Sequence, residues 1–265
     1  MSLTLKYLAK KIILPLFIIY ILLGLFLFIF QNFLIYYPDG QDFFDCPVLS
    51  HYEPVVFNET RFYYKNQSSK SVVVYYHGNA GSACDRGFFR GTFEKTGHSV
   101  IFAEYAGYSG ERRRPSEELI LTDAKNINKF IDSKEYEKII LYGQSIGSGP
   151  AAYHSNISEK VDVIALTAPF SKLSDVAGSK FPIYPVEFLL REEYNNIELL
   201  KGYGGRIVIF HGEKDNVIPK RFSKKLYESI QSDKARYVLI ADKGHNNIWG
   251  SQEFKSILVE FMKSQ

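Results

Sequence analysis

Six short runs of β-branched and aromatic residues recur after residue 70: SVVVYY (71–76), HSVIFAEY (98–105), KIILYG (138–143), VDVIALTA (161–168), RIVIFHG (206–212) and ARYVLIA (235–241). Near-continuous apolar runs of this length belong to strands buried on both faces, and such strands form a mainly parallel sheet covered by helices. The fold class is therefore α/β. Amphipathic segments fill the intervals. Ser116 ahead of Glu117 and Glu118 marks a helix start, because a hydroxyl caps free N–H groups and acids favour the positive end of the helix dipole. That helix is expected over about Ser116–Asp132, with others over Cys84–Lys95, Ile146–Asn156, Lys220–Gln231 and Gln252–Lys263. Val55–Tyr64 is expected to form a hairpin turning near Asn58 and Glu59. The interval 169–201 holds no clear strand, and its KFPIYPVEFLL stretch suggests an inserted cap. With 265 residues, 46% hydrophobic and 23% charged, one domain with one substantial core is expected over residues 53–265.

A formal charge of +3 and the lack of basic runs interleaved with aromatics argue against a nucleic-acid partner. The two cysteines, Cys46 and Cys84, are too few for a disulfide framework, and no Cys/His spacing resembles a metal site. One bridge between them stays open, but they are expected to be unpaired, since nothing in the sequence sets their Cα separation.

The sharpest compositional break lies at the start. Residues Ile12 to Phe30 carry no charge and would span about 30 Å as a helix, the thickness of a bilayer core. Lys6, Lys10 and Lys11 precede this segment, while no Lys or Arg follows until Arg61. The positive-inside rule then sets residues 1–11 in the cytoplasm, a transmembrane helix over 12–30, a juxtamembrane segment over 31–52, and the domain on the non-cytoplasmic side. A cleaved signal peptide has a shorter apolar centre ending at small residues, whereas FQNFLIYYP follows here, with Phe33, Tyr36 and Tyr37 suited to the headgroup zone. An uncleaved single-pass anchor is the expectation.

The stretch LYGQSIGSGPAAY holds Ser145 between Gly143 and Gly147. A G-x-S-x-G pentapeptide alone is weak evidence, arising by chance in roughly one chain in ten of this length. Its setting adds weight, because KIILY ends just before Gly143 and a helix can start after Ser145, the strand-turn-helix of a nucleophile elbow. A serine hydroxyl needs a base and an orienting group. Asp215 follows the run RIVIFHG and His245 follows ARYVLIA, so both lie in loops leaving the same sheet edge as the elbow. Alone, Asp215 could merely make an Asx-turn and His245 be a polar loop residue; three such residues in the order Ser, Asp, His argue for a triad. The oxyanion hole is assigned to the backbone N–H groups of Ile146 and of Asn79, in the loop HGNAGS. His77 and His211 close buried strands and are expected to prop their loops.

The blocks QNFLIYYP, YYHGNAGS, EYAGYSGERRRPSEE, LYGQSIGSGPA, APFSKLSDVA, FPIYPVEFLL, HGEKDNVIP and GHNN together resemble the membrane-anchored branch of the α/β-hydrolase superfamily over nearly all the chain after residue 30. The resemblance implies an α/β-hydrolase fold with a short cap, a triad of Ser145, Asp215 and His245, and no cofactor or metal. Arg112, Arg113 and Arg114 depart from the family's less basic turn; a solvated loop is the plainer reading, an anionic headgroup site the sharper one.

The leading functional expectation is a serine hydrolase cleaving a carboxylic ester or thioester through an acyl-serine intermediate. Its partners would be the lipid bilayer and a small-molecule, lipid or acylated-protein substrate. Phe181, Tyr184, Phe188 and Leu189 of the cap are candidates for an acyl pocket, although an aromatic cap also needs a core of its own. A peptidase or amidase using the same triad, and a non-catalytic tethered binding module, are the alternatives.

Overall fold

A computed structural model describes residues 9–263. Lys6, used above to orient the chain, lies outside the described residues, as do residues 1–8 of the segment expected in the cytoplasm.

After a single π-helical turn at Ala9–Ile13, helix α1 runs over Leu14–Ile35. Its 22 residues correspond to about 33 Å of rise, so it is long and apolar enough to cross a membrane. It is exposed around most of its surface, with only Gly24 and Gln31 buried.

Besides a two-stranded pairing of Tyr37–Pro38 with Ala80–Gly81, eight strands make the main sheet: β1 (Glu53–Phe57), β2 (Thr60–Lys65), β3 (Ser71–Tyr76), β4 (Ser99–Glu104), β5 (Lys138–Gln144), β6 (Val161–Thr167), β7 (Arg206–Gly212) and β8 (Ala235–Ile240). They form one sheet in the order β1-β2-β4-β3-β5-β6-β7-β8. The six apolar runs are the six strands β3 to β8, and every pairing among them is parallel. Only the β1–β2 hairpin and its junction with β4 are antiparallel. The hairpin turns at Asn58 and Glu59, both with positive φ, as the right-handed twist of a two-residue turn requires.

Helices cover both faces. A 3₁₀ stretch at Cys84–Phe89 leads into the short α2 (Arg90–Glu94), and α3 spans Glu117–Asp132. Ser116 caps α3 by accepting the Leu119 N–H at 3.3 Å. Helix α4 occupies Ser148–Ile157, α5 Leu173–Lys180, α6 Val186–Leu189, α7 Asn196–Leu199, α8 Lys220–Ser229 and α9 Gln252–Met262. Alternation along β3 splits the core into two layers. Val72, Val74 and Tyr76 join the cluster with Ile127, Ala151 and Phe222 of α3, α4 and α8, whereas Val73 and Tyr75 join Phe93 and Leu258 of α2 and α9.

The cysteines overturn the expectation that they stay apart. Cys46 and Cys84 form a disulfide with a Cα separation of 5.8 Å. The short helical turn Pro47–Leu49 sits against the 3₁₀ stretch, so tightly that a Cβ on Gly87 would lie 2.2 Å from Val48 Cγ1, and this juxtaposition brings the two sulfurs together. Helices α5, α6 and α7 form the cap between β6 and β7; no residue of α5 or α6 is buried.

Candidate active site

Strand β5 ends at Gln144, and the chain turns at once through a 3₁₀ turn, Ser145–Gly147, into α4. Ser145 holds φ of 53°, a left-handed conformation disfavoured for a residue with a side chain. The flanking glycines have a steric cause. A Cβ at Gly143 would lie 2.7 Å from Gly147 O, and one at Gly147 would lie 2.2 Å from Tyr76 O and 2.5 Å from His77 O. Neither neighbour is a movable side-chain tip, so the helix reaches the ends of β5 and β3 only without side chains there. Ser148 Oγ closes the turn by donating to Ser145 O at 2.6 Å.

Asp215 and His245 meet although 30 residues separate them. Their loops are joined by backbone hydrogen bonds, from Lys214 N to Lys243 O at 2.8 Å and from Glu213 N to Ile240 O at 3.0 Å. Asp215 Oδ2 lies 2.8 Å from His245 Nδ1, and Oδ1 accepts the N–H groups of Val217 and Ile218, both at 2.9 Å. His211 does more than prop a loop: its Nε2 is 2.9 Å from Ile218 O and 3.4 Å from Asp215 Oδ2. Burial pushes the Asp215 carboxyl up, but hydrogen bonds from His211, His245 and the Ile218 N–H outweigh it and hold the group well below the usual carboxylate range. Asp215 is thus a fixed anion whose remaining partner is the ring of His245, whose side chain is 10% exposed. Among the described residues, Ser145 Oγ makes no hydrogen bond to that ring.

Ser145, Ile146 and Asn79 line one cavity of about 310 Å³. His77 is sealed beneath it, with Nδ1 2.7 Å from Gly78 O, Nε2 3.3 Å from Glu104 Oε1, and its ring stacked on Tyr105. Tyr108 OH donates to Asn79 O at 2.8 Å and holds that loop in place. Of the four cap residues expected to line an acyl pocket, Phe181, Tyr184 and Leu189 line the cavity that Ser145 also lines. Phe188 is not among the residues lining it and is 86% exposed.

The opposite wall was not foreseen. Gly24, Leu27, Phe28, Gln31, Leu34 and Ile35 of α1 line the same cavity as Ser145. A helix apolar all round carries no moment to say which face is covered. The one local signal is the pair Gly24 and Gln31, a small and a polar residue two turns apart on one face. Gln31 Oε1 accepts the Arg191 N–H at 2.7 Å, and its Nε2 donates to Leu189 O at 3.3 Å. Of the three arginines, Arg113 pairs with Glu111 and Glu59, while Arg114 stacks over Phe33. Among the described residues, no three His, Cys, Asp or Glu side chains converge in a way that would hold a metal ion.

Comparison with solved structures sets this architecture in context. A Pyrococcus furiosus esterase matches 86% of this chain and 98% of its own at a TM-score of 0.69 and 16% identity. An α/β-hydrolase enzyme from a Medee basin deep-sea metagenome matches 80% and 98% at 0.63 and 16%. The chain has the α/β-hydrolase fold. No family model matches it. In sequence, the chain is 27% identical to an uncharacterized protein of Mycobacterium tuberculosis over 70% of its length and 66% of that protein's. It is 25% identical to the lysophosphatidylserine lipase of Danio rerio over 75% of its length and 59% of the lipase's, so it spans less than two thirds of either relative. An uncharacterized membrane protein of Saccharomyces cerevisiae is 27% identical over 75% of this chain and 72% of its own length.

Proposed function

We propose that the protein is a membrane-anchored serine hydrolase that cleaves a carboxylic ester or thioester of a lipid or acylated substrate. The observation that carries this reading is Ser145, held at positive φ in the wall of an apolar cavity at the sheet end where the Asp215–His245 pair also sits. The reading requires Ser145 Oγ to come within hydrogen-bond reach of His245, a contact that commonly tightens only with substrate bound. His245 then takes the hydroxyl proton as Oγ attacks the acyl carbonyl, and the N–H groups of Ile146 and Asn79 receive the oxyanion. The proton passes to the departing alkoxide or thiolate, and water activated by His245 releases the acid. Asp215, an anion throughout, stabilises the imidazolium in both halves.

Apolar cavity walls and a lipase among the relatives support a lipid substrate. The orientation with the N-terminus cytoplasmic is supported by Lys10 and Lys11 ahead of α1, and independently by the Cys46–Cys84 bridge, since disulfides persist on the oxidising side of a membrane.

The test is labelling of the detergent-solubilised full chain with a fluorophosphonate, followed by assay of a panel of acyl esters, thioesters and amides. Labelling is expected in the wild type and absent in Ser145→Ala. A folded wild type that neither labels nor turns over any member of the panel would refute the hydrolase reading.

A further inference from the structure

The cap and α1 are locked together along four turns of the helix. Tyr20 OH donates to Ile183 O at 3.0 Å, Tyr184 OH donates to Tyr20 O at 2.9 Å, and the two tyrosine rings stack with centroids 4.6 Å apart. One turn on, Gly24 leaves room for the Tyr184 ring: a Cβ there would lie 2.8 Å from Tyr184 Cε1. Arg191 covers the Phe28 ring at 5.4 Å, and Asn32 Nδ2 donates to Pro115 O and Glu192 Oε1, both at 3.2 Å.

On the outer side of this seam lies a second hollow, a groove of about 440 Å³ walled by Tyr20, Ile21, Leu25 and Pro185 together with four further residues. Those four, Gly24, Phe28, Tyr184 and Leu189, also wall the inner cavity that holds Ser145. A single layer of side chains therefore separates the reactive serine from the lateral surface of the apolar helix. Around the groove the cap exposes Phe181 at 40%, Ile183 at 68% and Phe188 at 86%, an apolar rim that water does not favour. The rim is continuous with the exposed apolar side chains of α1, so whatever solvates the helix also bathes the mouth of the groove.

We infer that an acyl chain enters sideways from the bilayer, between α1 and the cap, through a passage that opens when the Tyr184 ring, which closes the seam against Gly24, is displaced. Helix α1 is then one wall of the binding site as well as a tether, and the occupant is a single acyl chain already dissolved in lipid. Phe188, which lines no part of the inner cavity, takes its place in this picture as part of the lipid-facing rim. The inference names the substrate route of the proposed hydrolase and rests on that reading only for what happens once the chain reaches Ser145.

The test uses the full chain in phosphatidylcholine nanodiscs with a palmitic acid bearing a diazirine near its methyl end. After photolysis, adducts are expected on inner-cavity residues such as Leu27, Phe170 and Leu173. Gly24→Leu, which fills the passage, should lower those adducts about tenfold, the scale at which one or two misplaced methylenes discriminate in an apolar pocket. Tyr184→Ala, which widens it, should raise them, so a Gly24 variant that merely loosens the helix is distinguishable from one that blocks it. Adducts confined to outward residues such as Leu22 and Phe26, or inner adducts indifferent to both substitutions, would overturn the inference. Fluorophosphonate labelling of the same samples judges the hydrolase reading separately: inner adducts without Ser145 labelling leave the passage standing and remove the chemistry, and the reverse removes the passage alone.

Discussion

At Ser145 the backbone carries a local cost for the sake of its position. A left-handed φ disfavours any L side chain by roughly 1–2 kcal/mol, and glycine escapes that penalty. Ser145→Ala and Ser145→Gly should both abolish turnover, but the glycine variant should be the more stable by about 1 kcal/mol, read from denaturant midpoints. Equal midpoints would argue against strain at the elbow. Asp215 offers a complementary case. Asp215→Asn retains an oxygen for the Val217 and Ile218 N–H groups yet cannot stabilise an imidazolium, so kcat should fall about 10⁴-fold, and Tm should fall as well because Oδ2, which faces His211 and His245, is replaced by a donor. The places of Ser145, Asp215 and His245 beyond the ends of β5, β7 and β8 were legible in the sequence because each is fixed by its neighbours in the chain: glycines around Ser145, and a strand end a few residues before Asp215 and His245. The role of His211 was not legible, since its contact with Asp215 depends on how the loop folds back. The exposure of Phe188 was not legible either, because a composition rich in aromatics does not say which residues of a four-residue helix meet the cavity.

Among the elements, the β5-turn-α4 unit is the least tolerant. Gly147→Ala places a methyl group against two backbone carbonyls, so it should destabilise the fold by about 2–3 kcal/mol and reduce fluorophosphonate labelling together, whereas Gly178→Ala, in α5 with open space around it, should do neither. Thermal melts and labelling of the two variants decide it. The strands were read correctly because β-branched runs buried on both faces have few other places to go. Helix α1 shows the limit of such reading. Its apolarity announces a bilayer but erases the periodicity that would mark a protein-facing side, so its part in the site emerges only once the cap is seen against Gly24 and Gln31.

For the whole molecule, the bridge between Cys46 and Cys84 closes a span of 38 residues linking the juxtamembrane segment to the domain. By loop-closure entropy it should contribute about 4 kcal/mol, and Cys46→Ser, or reduction, should lower the unfolding midpoint accordingly. Acid stability should be governed in part by His154, wholly buried between Tyr76 OH at 2.7 Å from Nδ1 and Asn128 Oδ1 at 3.2 Å from Nε2. Burial pulls its pKa down from 6.5 to about 3. Between those values the unfolded chain binds the proton that the folded chain refuses, so the stability associated with neutral His154 is complete above about pH 6.5 and drains away as pH falls toward 3. His154→Gln should flatten the fall in Tm across that window, even if it lowers Tm at neutral pH.

Only one residue after α1 ends, Tyr37 and Pro38 pair in parallel with Ala80 and Gly81, immediately beyond Asn79. Tyr36, the residue between, is itself pinned by Glu192 and Tyr194. No slack exists in this coupling. On the proposed reading, a domain joined so stiffly to a bilayer-spanning stem has no leash on which to roam: its depth is set by the height at which the stem sits, and its substrate would be cargo travelling in the plane of the lipid beside it.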